Sequence, residues 1–287
     1  MPSYLTIPLG LIFGLLAGVI VNLLADYLPA ARLFRLAKAS PFVSDSGLPT
    51  QPKPLPRLKN GQVAPIYLWS GVMARLAGRH HFDSAHWLRR LTVEIGLALA
   101  FAWIGTFYSN STGLPFFLFY APTLTLIVVI DIEYRWIIPL TLLPIGIAAC
   151  FDSLLTGRVQ LESVARGGLY GFGIMFMIYL FSFVFKRLTE LGGGRIGRTV
   201  LGFGDIYLAG LGGMLVGWPY IGFALLIAVL LGGIGAVLLI SSKIARIGRY
   251  RRYSAIPYAP YLTTGIALMV YIPWITGTFF WHLLRFG

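Results

Sequence analysis

The sequence predicts an all-α fold: a polytopic transmembrane helical bundle of about eight spans, with one cytoplasmic loop or subdomain after the first span. Three observations predict it. Only 11% of the residues are charged and 57% are hydrophobic, where a soluble domain carries roughly 25% charge; mean hydropathy is +0.78. Apolar runs of the ~18–20 residues needed to cross a bilayer recur along all 287 residues. Basic residues, finally, fall unevenly on alternate loops, as the positive-inside rule requires.

Eight runs account for the elements in order, at roughly 5–27, 91–108, 114–131, 136–155, 167–185, 202–217, 219–241 and 262–284. The first, Leu5 to Ala25, lacks the charged leading segment and small-residue cleavage site of a signal peptide, so it reads as a retained helix. The runs starting at 91, 114 and 202 are short or polar at one end, which a span tolerates when it packs on neighbours or lines a wet cavity. Residues 28–90 form the one long connection. Its first half is Pro-rich and charged, with Pro41, Pro49, Pro52, Pro54 and Pro56 beside Lys53, Arg57 and Lys59, and reads as extended chain. Its second half, Ile66 to Leu76, is apolar and predicts a helix on the membrane surface, with Arg75, Arg79, Arg89 and Arg90 meeting anionic headgroups, so membrane lipids are expected partners. The resulting division is a first transmembrane helix (1–28), a basic cytoplasmic loop (29–90) and a seven-helix membrane core (91–287).

Charge tests the count. Alternating spans place loops 28–90, 132–135, 186–201 and 242–261 on one side, holding ten, one, four and five Lys or Arg, or twenty of the 23 in the chain. That asymmetry predicts cytoplasmic basic loops and both termini outside, and it explains the +13 net charge without a nucleic-acid partner. The lone cysteine, Cys150, excludes an internal disulfide and a Cys-based zinc site.

Ten acids exist in the chain, and Asp26, Glu94, Asp131, Glu133 and Asp205 lie in or at the ends of apolar runs. An ionisable group at the centre of a span costs at least ~2.5–3.5 kcal/mol, so such residues have a paired or functional role. Asp131 terminates the run Thr125 to Ile130. Asp205 closes Gly202-Phe203-Gly204-Asp205 and opens the next helix; the glycines permit close backbone approach there. Two carboxylates from different helices ~3 Å apart share one proton. One then activates water as general base while the other protonates the scissile carbonyl, which is aspartyl proteolysis without a metal or cofactor. On the residues alone, three alternatives stand beside this: Asp131 pairing with Arg135, Asp205 capping its own helix, and a proton- or cation-coupled transporter using the same acids.

Four motifs in order resemble the bacterial type IV prepilin peptidases, intramembrane aspartyl proteases of the GxGD class. They are Gly18-Val19-Ile20-Val21-Asn22 with Asp26-Tyr27-Leu28-Pro29; Ile130-Asp131-Ile132-Glu133 with Ile138-Pro139; Gly202-Phe203-Gly204-Asp205-Ile206-Tyr207-Leu208 with Gly212 and Gly217-Trp218; and Ile256-Pro257-Tyr258-Ala259-Pro260-Tyr261. The resemblance implies Asp131 and Asp205 as catalytic, with Glu133, Gly202, Gly204 and Glu94 in support. For Glu94, an ion pair with Arg90 is the alternative. It further implies a prepilin or pseudopilin substrate cut behind its basic leader at the cytoplasmic face of the bacterial inner membrane. N-methylation of the new terminus by S-adenosylmethionine is a second implied activity. Many relatives bind zinc through two CxxC pairs in the first loop. Here Arg79-His80-His81 stands where cysteines are expected, and solvated loop positions are the default for His80, His81 and His86. Tyr207 stands where the GxGD segment usually carries Lys.

Overall fold

The computed structural model describes residues 3–39, 64–76, 84–191, 202–247 and 258–272, and every regular element among them is helical. The helices are α1 (Ser3–Ala39), α2 (Gly71–Leu76), α3 (Ser84–Tyr108), α4 (Leu114–Tyr134), α5 (Pro139–Thr156), α6 (Leu161–Leu191), α7 (Phe203–Val216), α8 (Tyr220–Ile247) and α9 (Ala259–Tyr271), with a 3-10 turn at Ile66–Trp69 before α2. Each of the eight apolar runs falls on a helix over its described residues, the last as far as Tyr271. Among the described residues, α1, α3, α4, α5, α6 and α8 contain segments long and apolar enough to cross a membrane, while α7 and α9 are shorter apolar helices. Large apolar side chains cover the outside of these helices, for instance Leu155, Leu169 and Phe181, each more than 70% exposed. A helix apolar on its outer face belongs in lipid, and the chain is an integral membrane protein.

Helices overrun the apolar runs where the chain is polar, because backbone hydrogen bonding does not stop at the membrane boundary. Thus α1 continues to Ala39 and α6 extends from Leu161 to Leu191. The segment 66–76 is interrupted at Ser70, splitting the expected single helix into the 3-10 turn and α2. The Pro-rich half of the long loop, His80, His81 and positions 273–284 of the last run lie outside the described residues, as does the side chain of His86.

The chain forms two compact units, Met1–Ile130 and Asp131–Gly287, with the boundary in the last turn of α4. In the first unit, α1 lies against α3 through Gly10, Gly14 and Gly18. A Cβ on Gly10 would stand 2.8 Å from Ala102 Cα, Ala102 N and Phe101 O, so the backbones meet directly. Asp26 of α1 receives Arg89 and Arg90 of α3 at 2.6 and 2.8 Å. In the second unit, α7 lies against α6 at Gly167, Gly168, Gly171 and Gly213, and α9 meets α8 where Gly265 faces Ala224. α5 also borders α7, at Gly146 and Leu211.

Candidate active site

Asp131 sits one turn before the end of α4, whose last backbone bond runs from Arg135 N to Asp131 O at 2.8 Å. Arg135 ends the helix in the left-handed region, φ 54°. The chain crosses to Pro139, which opens α5 at a position where its missing N–H leaves no gap. The Asp131 side chain is buried, and its Oδ2 has no hydrogen-bond partner among the described residues. The backbone N–H of Ala259, at the start of α9, is directed at the same carboxylate. Arg135 acts on Asp131 only at longer range, and no ion pair joins the two, so that pairing alternative is not realised.

Asp205 lies in the first turn of α7. Its Oδ2 accepts the N–H of Gly202, the extended N-cap residue, at 3.2 Å, and its own N–H returns to Gly202 O at 3.2 Å. The capping expected of this acid is therefore present, and it engages one carboxylate oxygen. Gly204 is required by a neighbour: a Cβ there would stand 2.6 Å from Ile137 Cβ, in the segment leading into α5. That approach holds the head of α7 against the stretch that follows Asp131. The charge of Asp131 acts on Asp205, and the charge of Asp205 acts on the Tyr258 phenol. Burial, and then the Asp205 carboxylate, push Tyr258 up to about 12, because both oppose a second negative charge.

The remaining candidates fall elsewhere. Glu133 is exposed and faces away from the buried Asp131 two residues earlier. Glu94 belongs to the first unit and is fully buried. Its Oε1 accepts Gly71 N at 2.7 Å and Asn22 Nδ2 at 3.4 Å, and its Oε2 accepts Ser70 Oγ at 2.6 Å and Val72 N at 3.2 Å. Those amides open α2, so Glu94 caps that helix from α3. Arg90 Nη2 pairs with Asp26 at 2.8 Å. No group of three or more potential metal ligands occurs among the described residues. A family-type zinc centre does not fit the donor set either, since Cys150, inside α5, is the one cysteine of the chain.

The sequence marks the 256–261 segment as a motif without giving it a role. In the structure Tyr258 and Ala259 attend the two aspartates. The buried Asp152 also pairs with the partly exposed Arg158; an acid inside an apolar run with Arg six residues on is the signal for it in the sequence.

A polytopic bundle with two aspartates at helix ends, the charge of one acting on the other, has the form of a membrane-embedded peptidase. A model of the type IV leader peptidase family matches residues 117–237, from within α4 to within α8, and over that stretch the chain is similar to that family. A prepilin leader peptidase/N-methyltransferase of Aeromonas hydrophila is 26% identical over 242 residues, covering 81% of this chain and 72% of that protein. One from Aeromonas salmonicida (strain A449) is 25% identical over a 293-residue alignment, covering 95% and 92%. No solved structure matches. These matches support a peptidase, and the transporter alternative gains no support from them.

Proposed function

We propose that this protein is a peptidase that removes the basic leader from prepilins or pseudopilins at the cytoplasmic face of a bacterial inner membrane, with Asp131 and Asp205 as its catalytic pair. The observation that carries this is the buried Asp131 carboxylate, with one oxygen unpartnered, in electrostatic reach of Asp205. Carboxylates drawn to within ~3 Å of one another hold one proton between them. The ionised member takes a proton from water, which attacks the scissile carbonyl. The protonated member donates to the carbonyl oxygen; as the C–N bond breaks it takes that proton back from the hydroxyl of the tetrahedral intermediate, and the other member passes the water's proton to the departing amine. Asp205 is oriented for this by its bond to Gly202, and Asp131 by the Ala259 N–H. Gly204 supports the pair by admitting Ile137.

Glu94 supports the fold of the first loop, and Glu133 stands at the exposed rim. The distribution of Lys and Arg supports both termini outside. Arg75 and the exposed Ile66, Met73 and Leu76 suit contact with lipid headgroups and acyl chains. The functional division follows as helix 1–28, loop 29–90 and peptidase core 91–287.

The purified protein should cut a prepilin peptide at one bond, read by mass spectrometry, and Asp131→Asn and Asp205→Asn should each abolish the product. Full cleavage by either variant removes the assignment. Running the assay with and without S-adenosylmethionine reads the second activity, as one added methyl mass on the new terminus.

A further inference from the structure

We infer that the ion pair of Asp152 and Arg158 is a positioning device for the peptidase site: it fixes the axial setting of α7 against α5 and so determines where Asp205 stands relative to Asp131. The inference rests on the reading of those two aspartates as the catalytic pair.

Helices α5 and α7 run in the same direction. Ile137, just before α5, meets Gly204 at the head of α7, and Gly146 in mid-α5 meets Leu211. Beyond the end of α5, Arg158 Nη2 donates to the Leu215 carbonyl at 3.1 Å. The guanidinium also donates from Nε and Nη2 to Asp152 Oδ2, at 3.0 and 2.7 Å, and Thr156 Oγ1 holds Asp152 Oδ1 at 2.8 Å. The Asp152 side chain is 2% exposed. One fork therefore joins the α5 terminus to the carbonyl end of α7, where a cation also meets the negative end of the helix dipole. Ser163 adds a second tie at that end, donating from Oγ to Trp218 O at 2.8 Å and accepting Trp218 N–H at 3.2 Å.

At the head of α7 the Asp205 side-chain bond is internal to the helix cap, and the contact with Ile137 is one of packing. The far end is the one tied to α5 by side-chain hydrogen bonds. Asp205 and Leu215 are ten residues apart, about 15 Å along the helix at ~1.5 Å per residue, so Arg158 cannot touch the reacting bond. A sliding helix nevertheless carries Asp205 with it, and a misplacement of ~1 Å in a catalytic site can cost ~100-fold. Stability alone does not account for the pair. Apolar residues of similar volume commonly replace a buried ion pair without loss.

The test measures kcat and KM on folded, detergent-purified protein for two variants: Arg158→Lys, which keeps a cation opposite Asp152 but lacks the fork, and the double variant Asp152→Leu/Arg158→Met, which leaves no buried charge unpaired. Both should lower kcat about tenfold or more with KM within about twofold, the signature of a displaced catalytic group. Wild-type kcat per folded molecule, or a loss confined to KM or to folded yield, overturns the inference. Asp131→Asn is assayed in parallel. If it still cleaves, the catalytic reading itself has failed; if it is inactive while both variants match wild type, only the positioning role has failed.

Discussion

Gly10→Ala and Gly96→Ala place the same methyl group on two sides of one helix pair, with opposite expected effects. In an open helix either change gains about 0.8–1 kcal/mol, because alanine loses less backbone entropy. Gly96 of α3 has nothing within 4 Å of its would-be Cβ, so that gain should appear in full. Gly10 of α1 faces three backbone atoms of α3 at 2.8 Å, where ordinary contact begins at 3.4 Å. The helices must part by roughly 0.6 Å, because a backbone cannot rotate away as a side chain does. Gaps of ~0.5–1 Å forfeit a quarter to a half of the dispersion energy along a seam, and overpacking costs ~1–3 kcal/mol. Gly10→Ala should therefore be net destabilising by about 1–2 kcal/mol, and the two variants should differ by about 2–3 kcal/mol. Reversible unfolding in mixed detergent micelles measures both. Equal stabilities, or a stabilised Gly10→Ala, would refute the direct backbone contact of α1 and α3.

The Glu94 cap, the Tyr258 phenol and the Gly204 contact each give a further outcome. Glu94→Gln should cost about 1.5–3 kcal/mol, since it removes a charge accepting several hydrogen bonds, and should speed hydrogen exchange at the Gly71 and Val72 amides; unchanged exchange there would contradict the cap. Tyr258 ionises at 10 when unfolded and at about 12 when folded. Its contribution to stability is present below pH 10 and is lost between 10 and 12. A wild-type minus Tyr258→Phe absorbance titration should therefore stay flat to about pH 11, whereas a tyrosinate step near 10 would refute its burial beside Asp205. Gly204→Val should reduce cleavage sharply by driving Ile137 from the head of α7, while Gly222→Val, with open space around it, should retain wild-type kcat; equal behaviour of the two would count against the contact.

The helices were legible because lipid imposes long apolar runs, and Asp131 and Asp205 were legible because charge is rare there. Helix ends were less so: α1 runs twelve residues past its expected end at 27, into sequence where polarity says nothing about helicity. The break at Ser70 depends on Glu94, 24 residues away in sequence, taking up the amides of α2. Gly10, Gly14 and Gly18 do carry a readable four-residue spacing that marks a close helix seam, but the α3 backbone it meets is set only in three dimensions. Likewise Arg90 is placed at helical spacing from Glu94, while its pairing with Asp26 on α1 is set by the fold. The approach of Tyr258 and Ala259 to the two aspartates belongs to tertiary packing that no local pattern specifies.

The account stands or falls on whether the carboxyl groups at 131 and 205 work as one unit, and single-turnover cleavage of a prepilin peptide by Asp131→Asn, Asp205→Asn and the double variant tests that most directly. Residues acting together lose together: each single variant should fall as far as the double, to the uncatalysed background. A single variant that cleaves at the wild-type rate, or two partial losses that simply multiply in the double, would contradict it.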